Sequence, residues 1–269
     1  MSLNKGDFVT RRSHNRDLVF RIEDIKRDKV ILRSFKFRLM ADAPLDDLIK
    51  VDTGKITRIK KNLHEEALEI LQKCRKHLIL NTRVFRNSNS DAVYTEYPVR
   101  VLHLDGDKEY LNISLQNYKN LGLKARGFFI PEEGQPEKIS RYVTKYRPDI
   151  LVLTGHDGEF GDKIYHTSRY FIKAVKIARK IEPDLDQLII YAGACQSDYD
   201  KLIESGANFA SSPQNKMIHF MEPVLLVEKI ASTPFNTVVP VSEVTANSIS
   251  GEGAIGGVET RGKLRKKYP

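Results

Sequence analysis

Asp149-Ile150-Leu151-Val152-Leu153-Thr154-Gly155-His156-Asp157-Gly158 and, further along, Gln187-Leu188-Ile189-Ile190-Tyr191-Ala192-Gly193-Ala194-Cys195-Gln196-Ser197 decide the fold. Each is a short apolar run rich in β-branched residues that stops at small residues and then presents one reactive side chain. Unalternated apolar runs of this length describe strands buried on both faces, as in a parallel sheet. Between them, Ser168 to Ile181 carries Phe171, Ile172, Val175, Ile177, Ala178 and Ile181 at helical spacing. Strand, helix, strand is a crossover unit, so the two strands run parallel and end on the same rim of the sheet. Open α/β folds bind their ligands at that rim. His156 and Cys195 are expected there together.

The surrounding chain extends this pattern. Val99–Leu104 and Lys124–Ile130 read as strands, and Tyr110–Leu121, Gln135–Tyr146, Tyr199–Glu204 and Pro223–Ile230 as helices. Asn208–Ser212 and Thr237–Val239 are the last strands. Strands and helices alternating in this rhythm predict a doubly wound, mostly parallel sheet over residues 96–245. Residues 1–60 differ: Lys5–Val9, Leu18–Ile22, Lys29–Arg33 and the strictly alternating Phe35–Leu39 read as short strands of a small SH3-like β-barrel. Residues 61–95 supply a helix over Leu63–Leu80, capped by Asn62, and a polar linker. Residues 246–269, glycine-rich and then basic, read as a frayed tail.

Of 269 residues, 41% are hydrophobic and 29% charged, which describes a folded globular chain. No apolar run approaches a membrane span, and Met1–Arg12 lacks the apolar core of a signal peptide, so an intracellular, cytoplasmic location is expected. The net charge of +9 is uneven. Residues 1–61 hold 16 Lys/Arg against 9 Asp/Glu, residues 246–269 hold 5 against 2, and the middle is close to neutral. Such ends suit an acidic or nucleic-acid partner, or are simply solvated faces. The two cysteines, Cys74 and Cys195, make neither a disulfide framework nor a zinc set, so no metal or cofactor is expected. Cys74 falls on the apolar face of its helix as a structural thiol.

Cys195 just before Ser197-Asp198 stands at the start of a helix, which favours a thiolate. An imidazole at the neighbouring strand end can take the thiol proton and later protonate a leaving amine. The backbone N–H groups of Asp157, Gly158 and Cys195 are the candidates for an oxyanion hole. His103, inside a strand, and His166, in the loop after His156, compete for the role of base. Asp105 and Asp107 follow one strand, where carboxylates commonly cap a helix.

An apolar strand ending in His-Gly and a later one ending in Ala-Cys is the signature of caspases, legumains, gingipains, clostripain and separases. Gly155-His156-Asp157-Gly158 and Gly193-Ala194-Cys195-Gln196-Ser197 stand in those places. Along essentially its whole length the sequence resembles the YabG family of sporulation-specific proteases. That resemblance implies a caspase-like sheet, a cysteine peptidase with Cys195 as nucleophile and His156 as base, and substrates among spore coat and other sporulation proteins in the mother cell. It also implies cleavage next to arginine, for which Asp162, Asp198 and Asp200 are the candidate carboxylates. One departure concerns the oxyanion hole: Asp157 separates the histidine from Gly158, where caspases have the two adjacent.

Two other readings compete. A cysteine-dependent amidotransferase or related hydrolase would place its histidine after the cysteine, at His219. A nucleic-acid or scaffold-binding protein would work through the basic barrel, with the α/β domain inert.

Overall fold

The computed structural model describes residues 3–27, 29–85, 95–158, 166–246 and 248–267. The chain begins with five short strands: β1 (Phe8–Arg11), β2 (Phe20–Ile25), β3 (Val30–Ser34), β4 (Met40–Ala43) and β5 (Leu48–Lys50). They pair antiparallel in the order β4-β3-β2-β1-β5, with a bulge between Ile22 and Asp24. Val9, Phe20, Ile22, Val30 and Leu32 fill the core of this sheet. The expected strand Phe35–Leu39 is absent from it. These residues form the tip of the β3–β4 hairpin and pair outside the sheet, Phe37 with His219 and Leu39 with Asp157.

Helix α1 (Thr53–Phe85) is longer than its apolar pattern, because Asp52 caps it at the start. The Asp52 carboxylate accepts from the N–H groups of Gly54 and Lys55, which places Asn62 inside the helix. The expected linker falls mostly on residues 86–94, outside the described residues. Strand β6 (Thr95–Tyr97) follows.

The chain continues with β7 (Arg100–Asp105), α2 (Lys108–Asn120), β8 (Lys124–Phe129), α3 (Gln135–Tyr146), β9 (Ile150–Thr154), α4 (Ser168–Ile181), β10 (Ile189–Ala192), α5 (Tyr199–Glu204), β11 (Phe209–Ser211) and α6 (Glu222–Ser232). It continues with β12 (Val238–Val239), α7 (Val241–Ala246), β13 (Ile255–Gly257), β14 (Thr260–Arg261) and β15 (Arg265–Lys267). Six strands form one sheet in the order β13-β11-β10-β9-β7-β8. All neighbours are parallel except β13, which runs antiparallel beside β11. Unalternated strands β9 and β10 are buried on both faces. One face packs under α1, α2 and α6, the other under α3, α4 and α5.

Residues 255–267 do not form the expected frayed tail. Residues 255–257 complete the main sheet, β14 pairs with β12, and β15 pairs with β6. Thr237–Val239 accordingly lies in a small ribbon and not in the main sheet.

Candidate functional site

The chain leaves β7 for β8 on one side and then crosses to β9 on the other, so the switch in strand order falls between β7 and β9. Crevices at the carboxyl ends of such strands are where open α/β sheets bind ligands. Asp105 ends β7, His156 follows β9 and Cys195 follows β10, with β9 and β10 directly paired. His156 and Cys195 thus stand after the carboxyl ends of adjacent parallel strands.

Neither group is open to solvent. The Cys195 sulfur lies among residues of the amino-terminal antiparallel sheet and Ile218; it accepts the Ile218 N–H at 2.9 Å and stands 3.7 Å from the Ile218 carbonyl. Burial pushes the thiol up to about 12. The His156 ring stacks on Tyr110, with centroids 5.3 Å apart, and its Nε2 lies 3.2 Å from the Ser34 carbonyl. Burial and the Arg33 guanidinium, 3.5 Å from Nδ1, hold it well below the usual imidazole range. Among the described residues no hydrogen bond joins the sulfur to this ring; the β3–β4 tip separates their partners.

That tip occupies the rim. The N–H groups of Asp157 and Cys195 both donate to the Arg38 carbonyl, each at 3.1 Å. Two backbone donors on one carbonyl oxygen beside a thiol have the geometry of an oxyanion hole. Gly158 does not contribute, because its N–H donates to the Asp157 carboxylate at 2.9 Å. Its glycine has another use: a Cβ there would lie 2.1 Å from the Met40 carbonyl oxygen, so the tip passes directly over it. Gln196, in the left-handed region at φ 51°, turns the chain after Cys195 into α5.

The Arg38 side chain is fully buried. Its guanidinium makes a fork-to-fork pair with Asp105, at 3.1 and 2.9 Å, and donates to the carbonyls of Gly155 and Phe220, each at 3.3 Å. The Tyr110 ring lies 5.1 Å from the guanidinium carbon. Burial would raise the Asp105 carboxyl, but the Arg38 charge and the hydrogen bond with His103 outweigh it and keep it ionised. Thr154 Oγ1 and the Asp107 N–H also donate to it. A second buried pair sits alongside, Arg33 with Glu132 at 2.9 and 3.0 Å, and Glu132 also accepts the His156 N–H.

The other expected residues are placed elsewhere. Asp107 is indeed a helix cap, accepting from the N–H groups of Glu109 and Tyr110. Asp198 caps α5 and pairs with Lys201, and Asp200 is exposed, so neither carboxylate is turned toward Arg38. Asp162 lies outside the described residues, as does the side chain of Cys74. His103 is buried between Thr154 and Asp105 as support for that carboxylate. His166 has its N–H bound to the Gly158 carbonyl. His219 pairs with Glu66 at 3.5 Å and accepts the Met221 N–H. Asp105 and Tyr110, which the sequence presents as an ordinary cap region and an ordinary helix, are the residues that reading missed. The signal for Asp105 was its position at the end of β7, beside the switch. Among the described residues no cluster of three or more His, Cys, Asp or Glu is placed to hold a metal ion, and no helix is long and apolar enough to cross a membrane.

Comparison with known proteins gives the family of the chain. The model of the YabG peptidase U57 family matches residues 4–269. The sporulation-specific protease YabG of Bacillus subtilis (strain 168) is 40% identical over 286 residues, an alignment covering 100% of this chain and 99% of that protein. No solved structure shows significant similarity. With the match running from one end of the chain to the other, the protein belongs to the YabG peptidase U57 family.

Proposed function

We propose that this protein, a peptidase by its family, is a cysteine endopeptidase that cuts after arginine, with Cys195 as nucleophile and His156 as general base. The observation that carries the reading is the convergence of the Asp157 and Cys195 N–H groups on a single carbonyl oxygen at 3.1 Å, beside the Cys195 thiol. In the reaction, His156 takes the thiol proton and sulfur attacks the substrate carbonyl carbon. The resulting oxyanion is held by those two N–H groups. His156 then protonates the leaving amine, and the peptide bond breaks to leave a thioester. Water, deprotonated by His156, hydrolyses the thioester and restores the thiol, so one water is consumed per bond cut. Asp105 supplies the charge that a P1 guanidinium requires, in the bidentate geometry that favours arginine over lysine.

Burial of the thiol and the absence of a sulfur–imidazole contact describe a closed state; opening the rim hydrates both groups and relieves the desolvation that keeps them neutral. The family relative is named for sporulation, and the substrates proposed here are sporulation proteins, those of the spore coat among them, met in the mother cell. The amidotransferase reading requires His219 to reach the thiol, and the ring of that residue is committed to Met221 and Glu66.

The test is processing of a protein substrate by wild type, Cys195→Ala, His156→Ala and His219→Ala proteins, with the product termini sequenced. Loss of cleavage in the first two variants and its retention in His219→Ala is expected. Normal processing by Cys195→Ala would end the cysteine mechanism, and products that do not end in arginine would end the proposed preference.

A further inference from the structure

The β3–β4 tip behaves as a bound substrate would, through every group a substrate would use. Its backbone is paired on both sides of Arg38. Ahead of that residue, Phe37 bridges antiparallel to His219, and the Arg38 N–H donates to the Ile218 carbonyl at 3.0 Å. After it, Leu39 bridges Asp157, and the Met40 N–H donates to the Asp157 carbonyl at 2.8 Å. Between these anchors the Arg38 carbonyl takes two converging N–H donors while its side chain enters a closed pocket. Tyr110 steadies the tip by donating to the carbonyls of Ser34 and Phe37.

A folding element has no need of this arrangement. Phe35–Leu39 leaves its own sheet to make it, and a guanidinium removed from water requires a paired carboxylate and satisfied donors. The Asp105 fork and the Gly155 and Phe220 carbonyls serve its two terminal nitrogens in the manner of a receptor for arginine, while its Nε is left without a partner among the described residues. The groups that would react are disengaged, with His156 facing the Ser34 carbonyl and the sulfur accepting from Ile218. The tip is also tethered at both ends, by β3 and β4.

We propose that the Arg38 tip is a resident substrate mimic: the Asp105 pocket is where the enzyme reads an incoming arginine, and the chain's own Arg38 has to vacate it before a protein substrate is cut. This rests on the peptidase reading above and adds to it the residue that reads the substrate and the segment that blocks it. Where the chain cuts this hairpin itself, the bond broken is Arg38–Leu39.

The experiment compares full-length wild type, Arg38→Gln, Arg38→Lys and the double variant Arg38→Gln/Asp105→Asn on fluorogenic arginyl and glutaminyl peptide amides, with intact-mass analysis of each chain. Emptying the pocket should raise kcat/KM on the arginyl peptide by the ratio of closed to open chains, about tenfold or more for Arg38→Gln. Arg38→Lys, which keeps the charge but loses the fork, should gain less. The double variant, with its pocket neutral, should lose its preference for the arginyl over the glutaminyl peptide. Equal activity of wild type and Arg38→Gln, or an arginyl preference surviving in the double variant, would overturn the proposal while leaving the peptidase intact. So would a self-cut within residues 30–43 at any other bond. If Arg38→Gln does not fold by circular dichroism, Arg38→Lys decides, and no gain over wild type overturns the proposal. A set of folded proteins none of which hydrolyses either peptide would instead remove the peptidase assignment on which the proposal stands.

Discussion

The state of the Cys195 thiol can be measured without any substrate. Buried beneath the tip, it is held up to about 12, against an ordinary value of about 9. At pH 7.5 both values lie above the solution pH, so the thiolate fraction falls tenfold for each unit between them. The buried thiol should therefore alkylate on the order of a thousandfold more slowly than an open one. Steric closure by Leu39 and Ile218 slows it further. The assay is the rate of iodoacetamide modification at pH 7.5, read residue by residue by peptide mapping so that Cys74 is scored separately. Arg38→Gln should raise the rate at Cys195 by at least about tenfold, since loss of the charged fork frees the tip. Cys195 in the intact, uncut protein reacting at the rate of a model thiol would refute the argument, because it would mean that the sulfur is already in water.

Asp105→Asn strands the buried Arg38 guanidinium and should cost about 3–5 kcal/mol in urea denaturation, whereas adding Arg38→Gln should recover much of that loss. A cost below about 1 kcal/mol would show the pair to be hydrated. Asp157, buried under donors from Gly158, Thr167, Ser168 and Ser197, is raised to about 6, chiefly by burial. A carboxyl raised on folding adds stability that is fully present below its unfolded value near 4 and is lost as pH rises through about 6. The change is about 3 kcal/mol, and comparing wild type with Asp157→Asn at pH 4 and pH 7.5 should expose it. Gly158→Ala places a Cβ where the Met40 carbonyl oxygen lies, 2.1 Å away, and should lift the tip. Limited proteolysis within residues 35–40 should then be faster than in wild type, and an unchanged rate would show that the tip does not pass over Gly158.

The crossover unit was legible because periodicity reports burial: β9 and β10 are buried throughout, and α4 buries Phe171, Val175 and Ala178 of its apolar stripe, while Ile181 at its end is exposed. Phe35–Leu39 was not, because alternation marks an extended segment without naming its partner. Here the partners are His219 and Asp157, far along the chain, not the neighbouring strands. Asp105 was hidden by proximity to Asp107: two carboxylates after a strand look alike in sequence, and only the fold separates the one that caps α2 from the one that receives Arg38. Two arginines of the amino-terminal strands and their hairpin tip, Arg33 and Arg38, are buried against Glu132 and Asp105, so this part of the chain presents less positive charge at its surface than its composition suggests. The carboxyl-terminal strands were unreadable because they are short and draw their order from β11, β12 and β6, which lie far from them in sequence.

The Arg38–Asp105 pair also bears on how the pocket can evolve. Replacing either member alone leaves a charge unpaired in the interior, so a change of preference by a single step at this position carries a cost in stability. Any descendant that reads a different side chain has to rewrite its own hairpin tip at the same time. In this family, the residue at the hairpin tip should therefore co-vary with the residue at the end of β7, and the tip of each member would record what that member prefers to cut.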